Sequence, residues 1–291
     1  IRGAFRLFFF MHQEPSGVWI MAYTTIDNPI LYFSTNLWVA DDASSRALTG
    51  FGHTPALVWT KHRGSGSTYL TMTDSVRGGD KNLSTPVDAA ESAGSHGIIS
   101  VFGSDGITVV DGTNSTYPRL TYNELDPFGA SVGGNYVGWS WKAGGSASSN
   151  SNGSITSSVS ASTTAGFSIV SYTGTGANAT VGHGLGAAPT MIIQKNRIDG
   201  QPWWVYHSSI GAGGQLRLSG TDAEGSDGGV LWNSTAPTST VFSLGDNGGS
   251  NGDSDACIAY CFVDVKGYSK IGSYTGNNDN DGTFVYTGFR P

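Results

Sequence analysis

Short apolar runs alternate with clusters of glycine, asparagine and serine along almost the whole chain. Apolar runs of about four to eight residues bounded by such clusters read as β-strands. The second half is the clearest. Residues 167–172 read as a strand that ends at Thr173-Gly174-Thr175-Gly176. Residues 190–195, 203–207 and 215–218 follow, the last with clean alternation, and Val230-Leu231-Trp232 and 240–244 are two more candidates. The stretch 181–186 is rich in glycine and predicts an irregular bend over a sheet edge. The run 257–265 is the longest, and its continuity predicts a strand covered on both faces. Asn152-Gly153 ahead of 155–161 is a hairpin signal, so these residues predict a strand that opens the second half. No window carries a 3.6-residue period. The best helical candidate is 88–91, at most a turn or two.

The pattern is also repeated. In three places an aromatic residue stands the same distance ahead of a proline: Trp38 and Pro55, Tyr172 and Pro189, Tyr274 and Pro291. Ser171-Tyr172-Thr173-Gly174 recurs as Ser273-Tyr274-Thr275-Gly276, and Thr49-Gly50-Phe51 as Thr287-Gly288-Phe289. After the proline, 56–63 and 190–197 are each an apolar run closed by a basic cluster. Leu83-Ser84 aligns with Leu218-Ser219, Val101-Phe102 with Val241-Phe242, and 137–141 with 258–262. Repetition at a fixed spacing sets architecture before any residue-level reading. It predicts an all-β chain of two tandem β-sandwich domains, jelly-roll and concanavalin-like, plus the start of a third copy. The expected boundaries are 21–145, 146–266 and 267–291. The last piece is too short for a core of its own and predicts a loosely packed hairpin or a disordered end.

Residues 1–20 look foreign to this pattern. Leu7-Phe8-Phe9-Phe10 is too short for a signal-peptide core, and no small-residue cleavage site follows. Met21 reads as the start, with 1–20 a translated leader or a disordered end; Gly17-Val18 can be encoded by bases that contain a ribosome-binding core. A short anchoring helix is the rival.

Composition sharpens the picture. The 291 residues are enough for two domains. Glycine, at 43 residues, is about twice its usual share, and charge, at 13%, about half. Low charge with 8 Trp, 12 Tyr and 13 Phe argues against disorder. A net charge of -7 gives no basic footprint for nucleic acid, and no apolar run is long enough for a membrane span. Cys257 and Cys261 share one predicted strand. Four residues along a strand span roughly 13 Å, beyond the ~7 Å reach of a disulfide, so they read as two small buried hydrophobes.

Candidate chemistry is sparse. There is no Gly-x-Ser-x-Gly, P-loop, dinucleotide fingerprint or His-Glu-x-x-His, and no catalytic residue, cofactor or metal ligand is assigned. The histidines are dispersed and read as loop or surface residues. Asp88/Glu91 and Asp222/Glu224 fall in equivalent places of the two copies. Glycan hydrolysis needs two carboxylates, but an acidic loop beside a sheet accounts for both pairs. Asn277-x-Asp279-x-Asp281-Gly282 imitates the start of an EF-hand loop, yet Gly288 stands where a bidentate glutamate is required. Trp203 and Trp204 are adjacent, so on a strand they point to opposite faces. One can be core and the other an exposed indole that stacks on a sugar ring. Trp203, Trp204 and Trp232 are therefore the candidate glycan contacts, against a plain reading of core packing or a subunit contact.

Several words of the chain resemble a known family. Trp141-Lys142-Ala143-Gly144-Gly145, 153–157, 165–170, 182–186, 258–262 and Gly267-Tyr268-Ser269-Lys270 are similar to tandem domains of unknown function in virion and tail-associated proteins of marine bacteriophages. The likeness covers 21–291. It implies a phage structural protein and brings no catalytic residues with it. In the first copy Leu37-Trp38-Val39-Ala40 replaces the tyrosine-threonine-glycine word. The expected function is a non-enzymatic virion module, a tail-fibre or tail-tip segment that presents loops to the host surface. A lectin-like glycan-binding domain and a capsid-decorating protein are the alternatives. The expected partners are other virion proteins and host cell-surface glycan, with no nucleic acid and no membrane insertion. Homo-oligomerisation stays open. The expected location is the phage particle, after synthesis in the host cytoplasm.

Overall fold

The computed structural model describes residues 24–64, 70–125 and 134–290, together with the backbone of Met11–Gln13 (β1) and Trp19–Met21 (β2). The strands of the first half are β3 (Phe33–Val39), β4 (Ser45–Thr49), β5 (Leu57–His62), β6 (Thr71–Asp74), β7 (Gly78–Ser84), β8 (Ser92–Ala93), β9 (Ile98–Gly103), β10 (Gly106–Val110) and β11 (Asn135–Trp141). The second half holds β12 (Ser148–Asn150), β13 (Ser157–Ser162), β14 (Phe167–Thr173), β15 (Ala179–Gly182), β16 (Met191–Asn196), β17 (Trp204–His207), β18 (Gly214–Arg217), β19 (Gly225–Ser226), β20 (Val241–Leu244) and β21 (Ala256–Phe262). Among the described residues the helical content is one 3-10 turn, Pro29–Leu31, and one four-residue helix, Gly248–Asn251 (α1). The chain is nearly all β, every ladder between named strands is antiparallel, and no described sheet closes into a barrel.

A six-stranded sheet runs β3-β11-β5-β6-β7-β8, and an eight-stranded sheet runs β12-β13-β14-β21-β16-β17-β18-β19. From β14 onward the second order follows the first strand for strand. The smaller sheets correspond as well, β4 pairing with β10 and β15 with β20. Register agrees too. Trp38 faces Tyr136, which faces His62; Tyr172 faces Cys257, which faces Asn196. Pro55 and Pro189 stand at the same place, two residues ahead of β5 and β16. The ladders also correct the alignment read from sequence. Leu83 lies opposite Met72 and Leu216 opposite Val205, so Leu216, not Leu218, is the counterpart of Leu83. The partner of β15 is β20, which puts Phe242 in the place of a β10 residue, while Phe102 lies on β9.

Alternation along the strands decides the layers. On β21, Cys257, Ala259 and Cys261 face one core, while Ile258 and Tyr260 face another. The first of these cores lies between the eight-stranded sheet and the β15-β20 pair, with Val170, Tyr172, Ile192, Trp232 and Phe242. The second lies between the two large sheets: Leu57, Met72 and Leu83 of the six-stranded sheet meet Phe167, Ile169, Ile193 and Tyr260 of the other. A third fills the far side of the six-stranded sheet, where Leu48, Ile99, Ile107 and Val109 pack on Val58. The layers therefore run small sheet, large sheet, large sheet, small sheet, and β21 is covered on both faces as its unbroken apolar run predicts. Cys257 and Cys261 are free and buried on one face, and burial pushes both thiols up to about 12.

Three local readings differ from the sequence. Residues 88–91 form no helix: the Asp88 carbonyl accepts from Lys195 Nζ and the Glu91 amide donates to Arg197 O, both in the second half. Val230-Leu231-Trp232 lies in a turn, where the Asp227 carboxylate accepts from Gly229 and Leu231 amides. Residues 271–290 form no strand, and Tyr274, Phe284 and Tyr286 stand in solvent. The expectation for 1–20 falls outside the described residues, apart from the backbone of β1 and of Trp19-Ile20 in β2; β1 and β2 pair antiparallel.

Candidate functional site

The three candidate tryptophans sit in the interior. Trp203 and Trp204 do point to opposite faces, but both faces are covered, so neither is the exposed indole that the sequence suggested. Trp203 lies in the core between the large sheets, 0% exposed, and its Nε1 donates to Ser84 O across the halves at 3.0 Å. Trp204 lies on the other face under the Arg217 guanidinium, 5.0 Å from its ring centre. Trp232 is buried edge-on to Tyr206 at 5.8 Å. The three do not converge on a groove.

The candidate carboxylates separate as well. Glu91 is held between two arginines, one from each half. Arg77 Nη1 donates to it at 2.9 Å, and Arg197 binds both its oxygens at 2.8 Å. Arg77 is fully buried in the turn after β6, and all five of its N–H groups are used. Nε donates to Asp74, Nη1 also to Lys81 O, and Nη2 to Met72 O and the Tyr260 hydroxyl. Tyr260, on β21, donates to Asp74 at 2.8 Å. Burial works against the Arg77 charge, but Asp74, Tyr260 and Glu91 outweigh it and raise its pKa. Burial likewise works against the Glu91 charge, and the two arginines win and lower its pKa. This cluster pairs its own charges across the sheet junction. Asp222 and Glu224 lie on the surface, the former beside Arg217 at 3.4 Å.

His53 and His183, expected in loops or at the surface, lie in loops but are buried and fully engaged. His53 Nδ1 donates to Ile30 O at 2.7 Å and its Nε2 accepts from Ser140. His183 Nε2 donates to Thr238 O at 3.1 Å while its Nδ1 accepts from the Leu185 amide. Burial lowers both pKa values and favours the neutral ring. Lys195, buried on β16, gives its ammonium to three carbonyls, those of Asp88, Asp199 and Gln201, and burial lowers it to about 8.

The concavity lies elsewhere, where the end of β11, the approach to β5 and the turn from β13 to β14 meet. It is a cleft of about 730 Å³. Its wall is the word Lys142-Ala143-Gly144-Gly145. Each residue of that word has a physical task. Ala143 is buried in the core between the large sheets. Gly144 passes so close to the β13 main chain that a Cβ would lie 2.3 Å from Ala161 O. Gly145 turns with φ +88° and accepts from Ser160 at 2.7 Å. Lys142 then projects into the cleft, its amide donating to Tyr32 O at 2.8 Å and its ammonium 5.6 Å from the Tyr32 ring centre. The edge of Tyr268, from the Gly267-Tyr268-Ser269-Lys270 word, supports the same ring at 6.2 Å. Two strings that stand out in the sequence thus meet at one site. The signal was present as words, but neither Lys142 nor Tyr32 carries a motif that announces chemistry. Among the described residues, no group of three or more His, Cys, Asp or Glu side chains is placed to hold a metal ion.

Residues 28–291 match a family described as a domain of unknown function (DUF7483), and the chain belongs to that family. No curated protein and no solved structure matches it.

Proposed function

We propose that this chain is a non-enzymatic structural module of a bacteriophage particle, a tail-fibre or tail-tip segment built from a tandemly repeated unit. The units are two β-sandwiches of jelly-roll, concanavalin-like character, 21–145 and 146–266, with 267–291 opening a third. The observation that carries the reading is the strand-for-strand agreement of the two sheet orders, register included. A duplicated unit whose copies share a core makes a stiff block, and blocks in series make an extended array. The use of charge supports the same reading: Glu91 joins Arg77 of its own half to Arg197 of the other. The resemblance of the Lys142 and Tyr268 words to virion proteins supplies the particle and its other proteins as partners.

Peptide mass analysis of gradient-purified particles, with antibody labelling, tests this. Label along the tail or its tip is the expected result. Label on the head favours the capsid-decorating alternative, and absence from particles overturns the proposal. A second reading, a glycan-binding module in its own right, is favoured by the cleft between the copies. It no longer rests on Trp203, Trp204 or Trp232, whose rings are covered.

A further inference from the structure

We propose that the junction cleft is a binding site for an acidic saccharide, with Lys142 taking the sugar's carboxylate or sulfate and the hydroxyl-lined walls taking its ring hydroxyls. The inference rests on the glycan-binding reading above and names its ligand class.

The charge is the first argument. Lys142 is the one charged residue of the lining, and no carboxylate joins it there. In a chain of net charge -7 several cations near the surface are spent on carboxylates: Arg46 on Asp41, Lys81 on Asp80, Arg119 on Asp111, Arg217 on Asp222, Lys270 on Asp264. Lys142 makes no such pair. An ammonium held beside an aromatic face, in a recess without competing acids, selects an anion.

The second argument is the wall chemistry. The hydroxyls of Thr54, Ser75, Ser146, Thr163 and Thr164 line the cleft and make no hydrogen bond within the described protein, so their donors and acceptors are free for a ligand. A ring of free hydroxyls suits a polyol. Pro55, Ala56, Phe102 and Ala161 add apolar surface to the lining, on which the C–H face of a sugar ring can rest, and without a carboxylate the cleft offers nothing to a basic peptide. The size agrees, because ligand sites of about 300–1,000 Å³ enclose molecules of a few sugar rings.

The third argument is preorganisation. The Gly144 approach and the Gly145 turn fix the main chain from which Lys142 projects, and Tyr268 fixes the Tyr32 ring. The cation is therefore held in place before any ligand arrives, which lowers the entropic cost of binding.

Titration calorimetry of the whole chain tests this with three probes at equal ionic strength: an alginate hexasaccharide, maltohexaose and sodium sulfate. The alginate fragment should bind, and maltohexaose about tenfold or more weaker. Lys142→Gln should weaken the alginate fragment by about tenfold or more, the loss of one charge-assisted hydrogen bond, with the thermal midpoint unchanged. Thr164→Trp, which fills the mouth, should abolish binding. Equal affinity for the two hexasaccharides, an unaffected Lys142→Gln variant, or no binding of the acidic sugar at millimolar concentration would each overturn the proposal. Sulfate that binds as tightly as the alginate fragment would also overturn it, since the site would then read charge alone. Particle labelling is independent of Lys142, so failure here leaves the virion reading standing and is told apart from its failure.

Discussion

Without the Arg77 guanidinium, Asp74 and Tyr260 would face each other in the interior and Glu91 would keep only Arg197. Breaking a buried ion pair from one side strands the other charge and costs about 3–5 kcal/mol. Arg77→Ala should therefore lower the unfolding free energy by about that amount in urea denaturation, whereas a loss below 1 kcal/mol would mean water already reaches the cluster. Histidine sets the acid limit. His53 and His183 have folded pKa values below the ordinary 6.5, so the folded chain binds fewer protons than the unfolded one just below that pH. Their contribution to stability is present above 6.5 and is lost as pH falls below it. Glu91, also lowered, adds a second loss below its ordinary 4.5. The thermal midpoint should fall on acidification from about pH 7.5 to about pH 5.5, and the double variant His53→Gln, His183→Gln should flatten that fall. At this scale the sequence was least legible. The opposite orientation of Trp203 and Trp204 follows from strand geometry alone, but what covers each face does not: Trp203 lies under the sheet carrying Ser84, more than 100 residues away along the chain, and Trp204 in the core under β15-β20.

At the scale of elements, legibility tracked continuity. Runs such as 167–172, 190–195 and 257–265 announce buried strands because both of their faces need apolar or small residues, and β14, β16 and β21 lie there. The Asn152-Gly153 hairpin was legible from turn chemistry, and β12 and β13 flank it. The run 230–232 misled because Leu231 and Trp232 fill a core from a turn, with the Asp227 carboxylate accepting from the Gly229 and Leu231 amides. The tail repeats a word without repeating its ladder. Tyr172 sits on β14, paired on one side with β13 and on the other with β21, and is 4% exposed; Tyr274, in the matching Ser-Tyr-Thr-Gly word, has no strand on either side and is 70% exposed. Removal of residues 276–291 should then change the unfolding free energy by no more than about 0.5 kcal/mol, measured in urea. A larger loss would show that the tail contributes to a core of the first two units.

For the whole molecule, the repeated words were enough to anticipate an all-β chain and the places of Pro55 and Pro189. They could not reveal that the two large sheets share a core, because the residues that meet there, Leu57 and Met72 with Ile169 and Tyr260, look like ordinary strand interior in either copy. Nor could they reveal the cleft, which is lined from both halves of the chain. That meeting of the sheets is the center of the account: two halves with matching sheet orders joined through a common apolar layer and the Arg77 cluster. Differential scanning calorimetry tests it most directly. The account predicts one transition whose calorimetric and van't Hoff enthalpies agree. Two separable transitions, or a van't Hoff enthalpy near half the calorimetric value, would mean the copies unfold independently and would contradict it.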